Sequence, residues 1–134
     1  MTASHARVEV VQVTENTADT IFAVGQDSNN WYGFVEEGGK LYLQMKMAGK
    51  KNSTNVDYDP AEHRFWRLRH EATDNLMLWE TSPDGVKWTI LRSTTPEIPL
   101  VSLYMYLGAG TYVVEASPGS AIFDNFKFVI HAEP

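Results

Sequence analysis

Turn-forming clusters recur about every ten residues along this chain, and the segments between them alternate apolar and polar side chains with a period of two. Those segments are rich in Val, Ile, Tyr, Phe, Trp and Thr, the residues that fit a pleated, half-buried surface. Because successive side chains leave a strand on opposite faces, the pattern builds sheets that each hide one face. A sandwich or a barrel satisfies that pattern, and an all-β, two-sheet antiparallel sandwich is expected. Strands are expected over 7–14, 20–26, 31–35, 40–47, 55–58, 64–70, 76–81, 86–93, 101–107, 111–115 and 120–130, with 60–63 as the one short helical segment. A chain of 134 residues suits one core, so a single domain over 1–134 is expected, ordered from about 7 to 130.

The turns carry their own chemistry. Glu36-Glu37-Gly38-Gly39 supplies glycines for the positive φ of a tight hairpin, and Thr73-Asp74-Asn75 supplies residues that tolerate the left-handed region. The stretch 48–55 (AGKKNSTN) reads as a polar, exposed loop, and its Asn52-Ser53-Thr54 fits the N-glycosylation acceptor pattern. Alternation also assigns faces. Leu103, Met105 and Leu107 point to the core while Tyr104 and Tyr106 point away; Trp66 and Leu68 point in while Phe65, Arg67 and Arg69 point out. Trp79 belongs to the core, which sends Glu80 outward and predicts an Arg67–Glu80 cross-strand pair.

Charge and composition remove several functions. Seventeen acidic residues against eleven basic ones leave a net charge of −6, so phosphate backbones feel no general attraction and nucleic acid is not an expected partner. No apolar run approaches the roughly 18 residues of a membrane helix, so no membrane insertion is expected. With no cysteine, disulfides, thiolate metal sites and cysteine nucleophiles are all excluded. The histidines, His5, His63, His70 and His131, show no zinc-type pairing; the glycines of 33–40 miss the P-loop spacing; and there is no G-x-S-x-G elbow. Met1 to Ala6 lacks the basic and apolar regions of an export signal, so an extracellular or virion-associated role would need other delivery.

The most specific pattern is Trp79-Glu80-Thr81-Ser82-Pro83-Asp84-Gly85-Val86-Lys87-Trp88. Ser82 and Asp84 are suited to accept backbone amides, Pro83 presets φ, and Gly85 takes the positive φ that closes a hairpin. Trp79 and Trp88 would then return on adjoining strands as core aromatics.

That segment, followed by Leu107-Gly108-Ala109-Gly110-Thr111 and Ala121-Ile122-Phe123-Asp124-Asn125-Phe126, resembles the concanavalin A-like lectin/glucanase superfamily. The likeness is closest to the non-catalytic, laminin-G-like modules of bacterial surface proteins, secreted glycosidases and phage tails, and it includes Asn30-Trp31 and the stretch 58–69. It implies a jelly-roll sandwich that binds sugars on its concave sheet or at loops along one rim. The catalytic relatives carry a Glu-x-Asp-x-x-Glu or Glu-x-Asp-x-Glu strand, which is absent here, so no enzymatic activity is expected. No cofactor is implied beyond a structural Ca²⁺. For that ion Asp124 is the metal candidate, since a carboxylate on the last strand helps hold calcium in some relatives. The alternative is that Asp124 accepts backbone amides at a bulge.

Tyr104 and Tyr106, with Tyr42, Gln44, Lys46, Arg67, Arg69 and Glu80, form the candidate ligand surface. Aromatic faces match the C–H faces of sugars and planar polar side chains match their hydroxyls, while a protein interface or plain solvated surface uses the same residue types. A carbohydrate is the expected ligand; self-association through a sheet edge or face is the alternative function. The resemblance also implies opening strands that this chain lacks. Strand 7–14 and strand 120–130 are therefore expected at an uncovered edge, and a homo-oligomer, most simply a two-fold dimer, is expected to cover it.

Overall fold

The computed structural model describes residues 4–97, 103–110 and 119–129. Among them are ten strands: β1 (His5–Gln12), β2 (Asp19–Asp27), β3 (Asn30–Glu37), β4 (Lys40–Met47), β5 (Lys50–Asp57), β6 (Phe65–Glu71), β7 (Leu76–Ser82), β8 (Thr89–Thr94), β9 (Tyr104–Gly110) and β10 (Ile122–Val129). They form two antiparallel sheets of five strands, ordered β10-β1-β6-β7-β8 in sheet I and β5-β4-β3-β2-β9 in sheet II. The all-β, two-sheet antiparallel sandwich is as expected. The expected strand at 111–115 lies outside the described residues.

The core lies between the sheets, built mainly from alternate residues of their central strands. Val8, Trp66, Leu68 and Trp79 come from sheet I, and Phe22, Tyr32, Phe34, Leu41 and Leu43 from sheet II; all are buried. Aromatic rings knit the layers together. Phe34 stacks on Phe22 in its own sheet (centroids 6.2 Å apart) and on Trp66 across the core (5.4 Å), and Tyr32 meets Trp79 edge to face at 5.8 Å. The Nε1–H of Trp79 also donates to the carbonyl oxygen of Gly33 at 2.9 Å, a polar tie between the sheets inside the apolar layer.

The turns behave as their residues require. Gly38 and Gly39 take φ of 59° and 81°, Asn75 takes 51° and Gly85 takes 78°. Ser82 Oγ accepts the amides of Asp84 and Gly85, and Asp84 Oδ1 accepts those of Val86 and Lys87. With those two amides turned inward to a carboxylate, residues 86–88 cannot join a ladder, which is why β8 starts at Thr89 and not at 86.

Five expectations are corrected. Residues 48–55 are not a loop: the turn is confined to Ala48 (φ 49°) and Gly49 (φ 80°), and β5 follows at once. Residues 60–63 form a turn and not a helix, a single loop of chain closed by the His63 amide on the Asp59 carbonyl at 2.8 Å and by Asp59 Oδ1 accepting the Ala61 and Glu62 amides. Trp88 is not a core aromatic; the Arg67 guanidinium stacks on its ring at 4.0 Å on the outside of sheet I. Strand β1 is not an edge strand, because β10 pairs on one side of it and β6 on the other. The fifth concerns the candidate ligand surface, which is divided between the two sheets.

Candidate functional site

Strand registers place the outward residues of sheet II in rows that run across the sheet. One row reads Tyr104, Gly25, Trp31, Lys46, Lys51; the next reads Tyr106, Ala23, Gly33, Gln44, Ser53; the next Gly108, Ile21, Val35, Tyr42, Asn55. The centre of this face is therefore made of Gly25, Ala23 and Gly33, with large aromatics on both sides. Small residues over two adjoining strands leave a trough, because a pleated sheet gets its height from its side chains.

The aromatics lie along the sheet. The Cζ3 edge of the Trp31 indole is 3.0 Å from where a β-carbon on Gly33 would stand. The Tyr106 ring and hydroxyl are 2.9 and 2.7 Å from where one on Gly108 would stand. Each ring is thus laid over a glycine two residues along its own strand, a position that any side chain would have blocked. Gly25 is fixed by the same crowding: a β-carbon there would sit 2.4 Å from both Trp31 Cβ and the Asn30 carbonyl oxygen. The result is a cleft of about 470 Å³ floored by β2, with Trp31 on one side and Tyr104 and Tyr106 on the other. Tyr104 and Tyr106 are 72% and 56% exposed, a large share for aromatic rings.

The polar end of the cleft is the turn between β2 and β3. Asp27 Oδ1 accepts the Asn29 amide at 2.8 Å and the Asn30 side-chain amide at 3.0 Å, and these bonds hold the Asp27 carboxyl below its ordinary pKa. Asn30 Oδ1 in turn accepts the Ala48 amide, and the Asn29 carbonyl accepts that of Gly49. The turn is thereby fastened to the β4–β5 hairpin, which keeps Gln26, Asp27 and Ser28 at the mouth of the cleft.

Of the residues singled out from sequence, Tyr104 and Tyr106 line this cleft. Tyr42 and Gln44 share the face, with Lys46, but stand on β4, beyond Gly33 and Val35. Arg67, Arg69 and Glu80 are on the outer face of sheet I, the opposite side of the molecule, because the chain changes sheets between β5 and β6. There they complete a different task. Glu80 is 2% exposed; its Oε1 accepts Arg67 Nε and Arg69 Nε at 2.9 Å each, and its Oε2 accepts a second Arg69 nitrogen at 3.1 Å. Burial alone would push the Glu80 carboxyl up, and the hydrogen bonds and charge of Arg69 and Arg67 more than offset it, holding the group ionised. Trp88 covers the cluster through Arg67. With every carboxylate oxygen engaged, Glu80 is a structural ion centre and offers no ligand contact.

Asp124 is exposed and accepts the amide of its neighbour Asn125 at 2.8 Å, where Asn125 takes φ of 47° and the β1–β10 register shifts. That is the bulge arrangement. Among the described residues no group of three or more His, Cys, Asp or Glu side chains is placed to hold a metal.

Trp31, Ala23, Gly25 and Asp27 were missed from sequence. The signal for them is the pairing of two alternations, Ile21-x-Ala23-x-Gly25 and Trp31-x-Gly33-x-Val35, which meet face to face once β2 and β3 are joined as a hairpin. Trp31 stands next to Tyr32, and only the register shows which of the two is inside.

No protein-family model matches the chain, and no curated protein matches it. Among solved structures it is similar to a functionally unknown protein from Saccharomyces cerevisiae, with a TM-score of 0.61 and 18% identity over 98% of this chain and 70% of that one. That likeness is one of fold.

Proposed function

We propose that this domain is a non-catalytic carbohydrate-binding module, holding a glycan in the cleft of sheet II. The observation that carries the reading is the seating of Trp31 and Tyr106 over Gly33 and Gly108. A ring whose edge is seated over a glycine stays close to the sheet and open to solvent, and pyranose rings present apolar C–H faces that stack on aromatic surfaces while their hydroxyls seek planar polar groups. Tyr104 adds a further wall, and Gln26, Asp27 and Ser28 supply donors and acceptors at one end. The sequence resemblance to concanavalin A-like lectin modules supports the same class, and an extracellular or virion surface is where such a module would meet its ligand. A glycan array is the test. Retention of at least one glycan by the protein, lost in Trp31→Ala, supports the reading, and an empty array overturns it.

Self-association is a second reading, favoured by one observation. Among the described strands β10 ends sheet I, and it carries exposed Ile122 and Phe126. Apolar side chains on an unpaired edge are suited to a second copy of the same strand. Sedimentation at micromolar concentration tests it: a species near twice the 15.1 kDa chain mass supports this reading, and one near 15.1 kDa removes it.

A further inference from the structure

We infer that the cleft selects glycans that carry no negative charge, turning away uronate- and sulfate-bearing sugars, and that Asp27 is the selecting group. The inference rests on the glycan reading above and narrows its ligand class. Among the described lining residues, Ile21, Ala23, Gly25, Trp31, Tyr104 and Tyr106 are uncharged, Gln26 and Ser28 are neutral, and Asp27 alone carries charge. No cation answers it inside the cleft. The amines nearest by register, Lys46 and Lys51, stand on β4 and β5, on the far side of Trp31 from the β2 floor.

The turn itself does not require a charge at this position. Both the Asn29 amide and the Asn30 side chain donate to the single oxygen Oδ1 of Asp27, and the side-chain oxygen of an asparagine would accept the same two bonds. The negative charge is therefore surplus to the local structure and directed at whatever occupies the mouth of the cleft. Hydrogen bonding from Asn29 and Asn30 keeps the group ionised from mildly acidic pH upward. For a neutral sugar the carboxylate is an acceptor for hydroxyl groups, and charge-assisted bonds of that kind are the stronger ones. For an anionic sugar it is a like charge at the exposed mouth of the cleft, which at low salt costs roughly severalfold in affinity.

The test is a charge series at constant ring geometry. Oligosaccharides of glucose, galactose and mannose are titrated into the whole protein beside their uronate counterparts and their amino-sugar counterparts, with wild type and Asp27→Asn compared and Asp74→Asn, in the β6–β7 turn outside the cleft, as a charge-matched control. Expected for wild type at low salt is an affinity order of amine at or above neutral and neutral roughly severalfold above uronate. In Asp27→Asn the uronate should gain and the amine should lose, while Asp74→Asn keeps the wild-type order. A uronate that binds wild type as well as its neutral partner, or a gap that Asp27→Asn leaves unchanged, overturns the selection and leaves the glycan reading standing. If no member of the series binds any of the three proteins, the glycan reading falls and this inference with it.

Discussion

Trp79 Nε1 donates to the carbonyl oxygen of Gly33 at 2.9 Å, so a core side chain of one sheet holds the backbone of the other beside the wall of the cleft. The same glycine faces outward beneath the Trp31 indole. Trp79 is fully buried, and its ring is also packed by Tyr32 and by the Arg92 guanidinium at 4.8 Å. Trp79→Phe keeps an aromatic ring there but leaves the Gly33 carbonyl without its donor and a gap beside it. A loss of about 2–4 kcal/mol is expected in denaturant melts, from the unpaired carbonyl and the lost volume together.

On the opposite sheet the Glu80 cluster should behave as structure alone. Glu80→Ala strands Arg67 and Arg69 without their shared carboxylate and should cost about 3 kcal/mol, the low end for breaking a buried pair because both arginines keep some access to water. Lys40→Ala, which removes the exposed Lys40–Asp57 pair, should leave the melting temperature unchanged. Thermal melts of the two variants side by side check the contrast, and neither should alter glycan binding.

Glu36 gives the fold a pH dependence of known sign. The residue is 3% exposed; Oε2 accepts the Gly39 amide at 3.1 Å, and Oε1 is buried with no hydrogen-bond partner. Burial pushes its carboxyl above the ordinary value, against the Gly39 hydrogen bond, and the charges of Glu37 and Asp19 add to the rise. The same pocket holds Tyr58, whose hydroxyl is pushed up to about 12 by burial and by the charge of Glu36. A raised acid binds more protons folded than unfolded, so its contribution falls as pH rises from the ordinary glutamate range through the folded value, and stays lost above it. Glu36→Gln should therefore be more stable than wild type at pH 7–8, and the advantage should shrink on acidification. Melting temperatures of both proteins between pH 4 and pH 8 measure the difference directly.

The readable part of the fold was whatever a single strand or turn encodes. Alternation assigned Trp66 and Leu68 inward and Tyr104 and Tyr106 outward, and Gly85 and Asn75 announced their turns, because those properties depend on neighbours within a few residues. Strand β4 begins and ends where its pattern does. Strand β5 was hidden because Lys50-Lys51-Asn52-Ser53-Thr54-Asn55 is polar on both faces. Before the strand reaches the core at Val56, its inward side meets an arginine: Arg92 crosses from β8 to bond the Leu43 carbonyl and Asn52 Oδ1, each at 2.6 Å, closing that flank of the sandwich.

The candidate site was only partly legible in sequence for a related reason. Tyr104 and Arg67 both alternate outward, but outward from which sheet depends on strand order, and strand order is set by contacts far apart in the chain. The trough is likewise a product of register, since Ala23 and Gly33 matter only when placed side by side.

The central claim, that the cleft of sheet II binds sugars through its aromatic walls, is tested most directly by calorimetric titration of an array-selected neutral glycan into wild type and Tyr104→Ala. Tyr104 is 72% exposed, so its removal should spare folding while taking away one wall. The account predicts saturable one-site binding to wild type, weakened about tenfold or more in Tyr104→Ala at an unchanged melting temperature. Equal affinity for the two proteins would contradict it and move the binding site off this face.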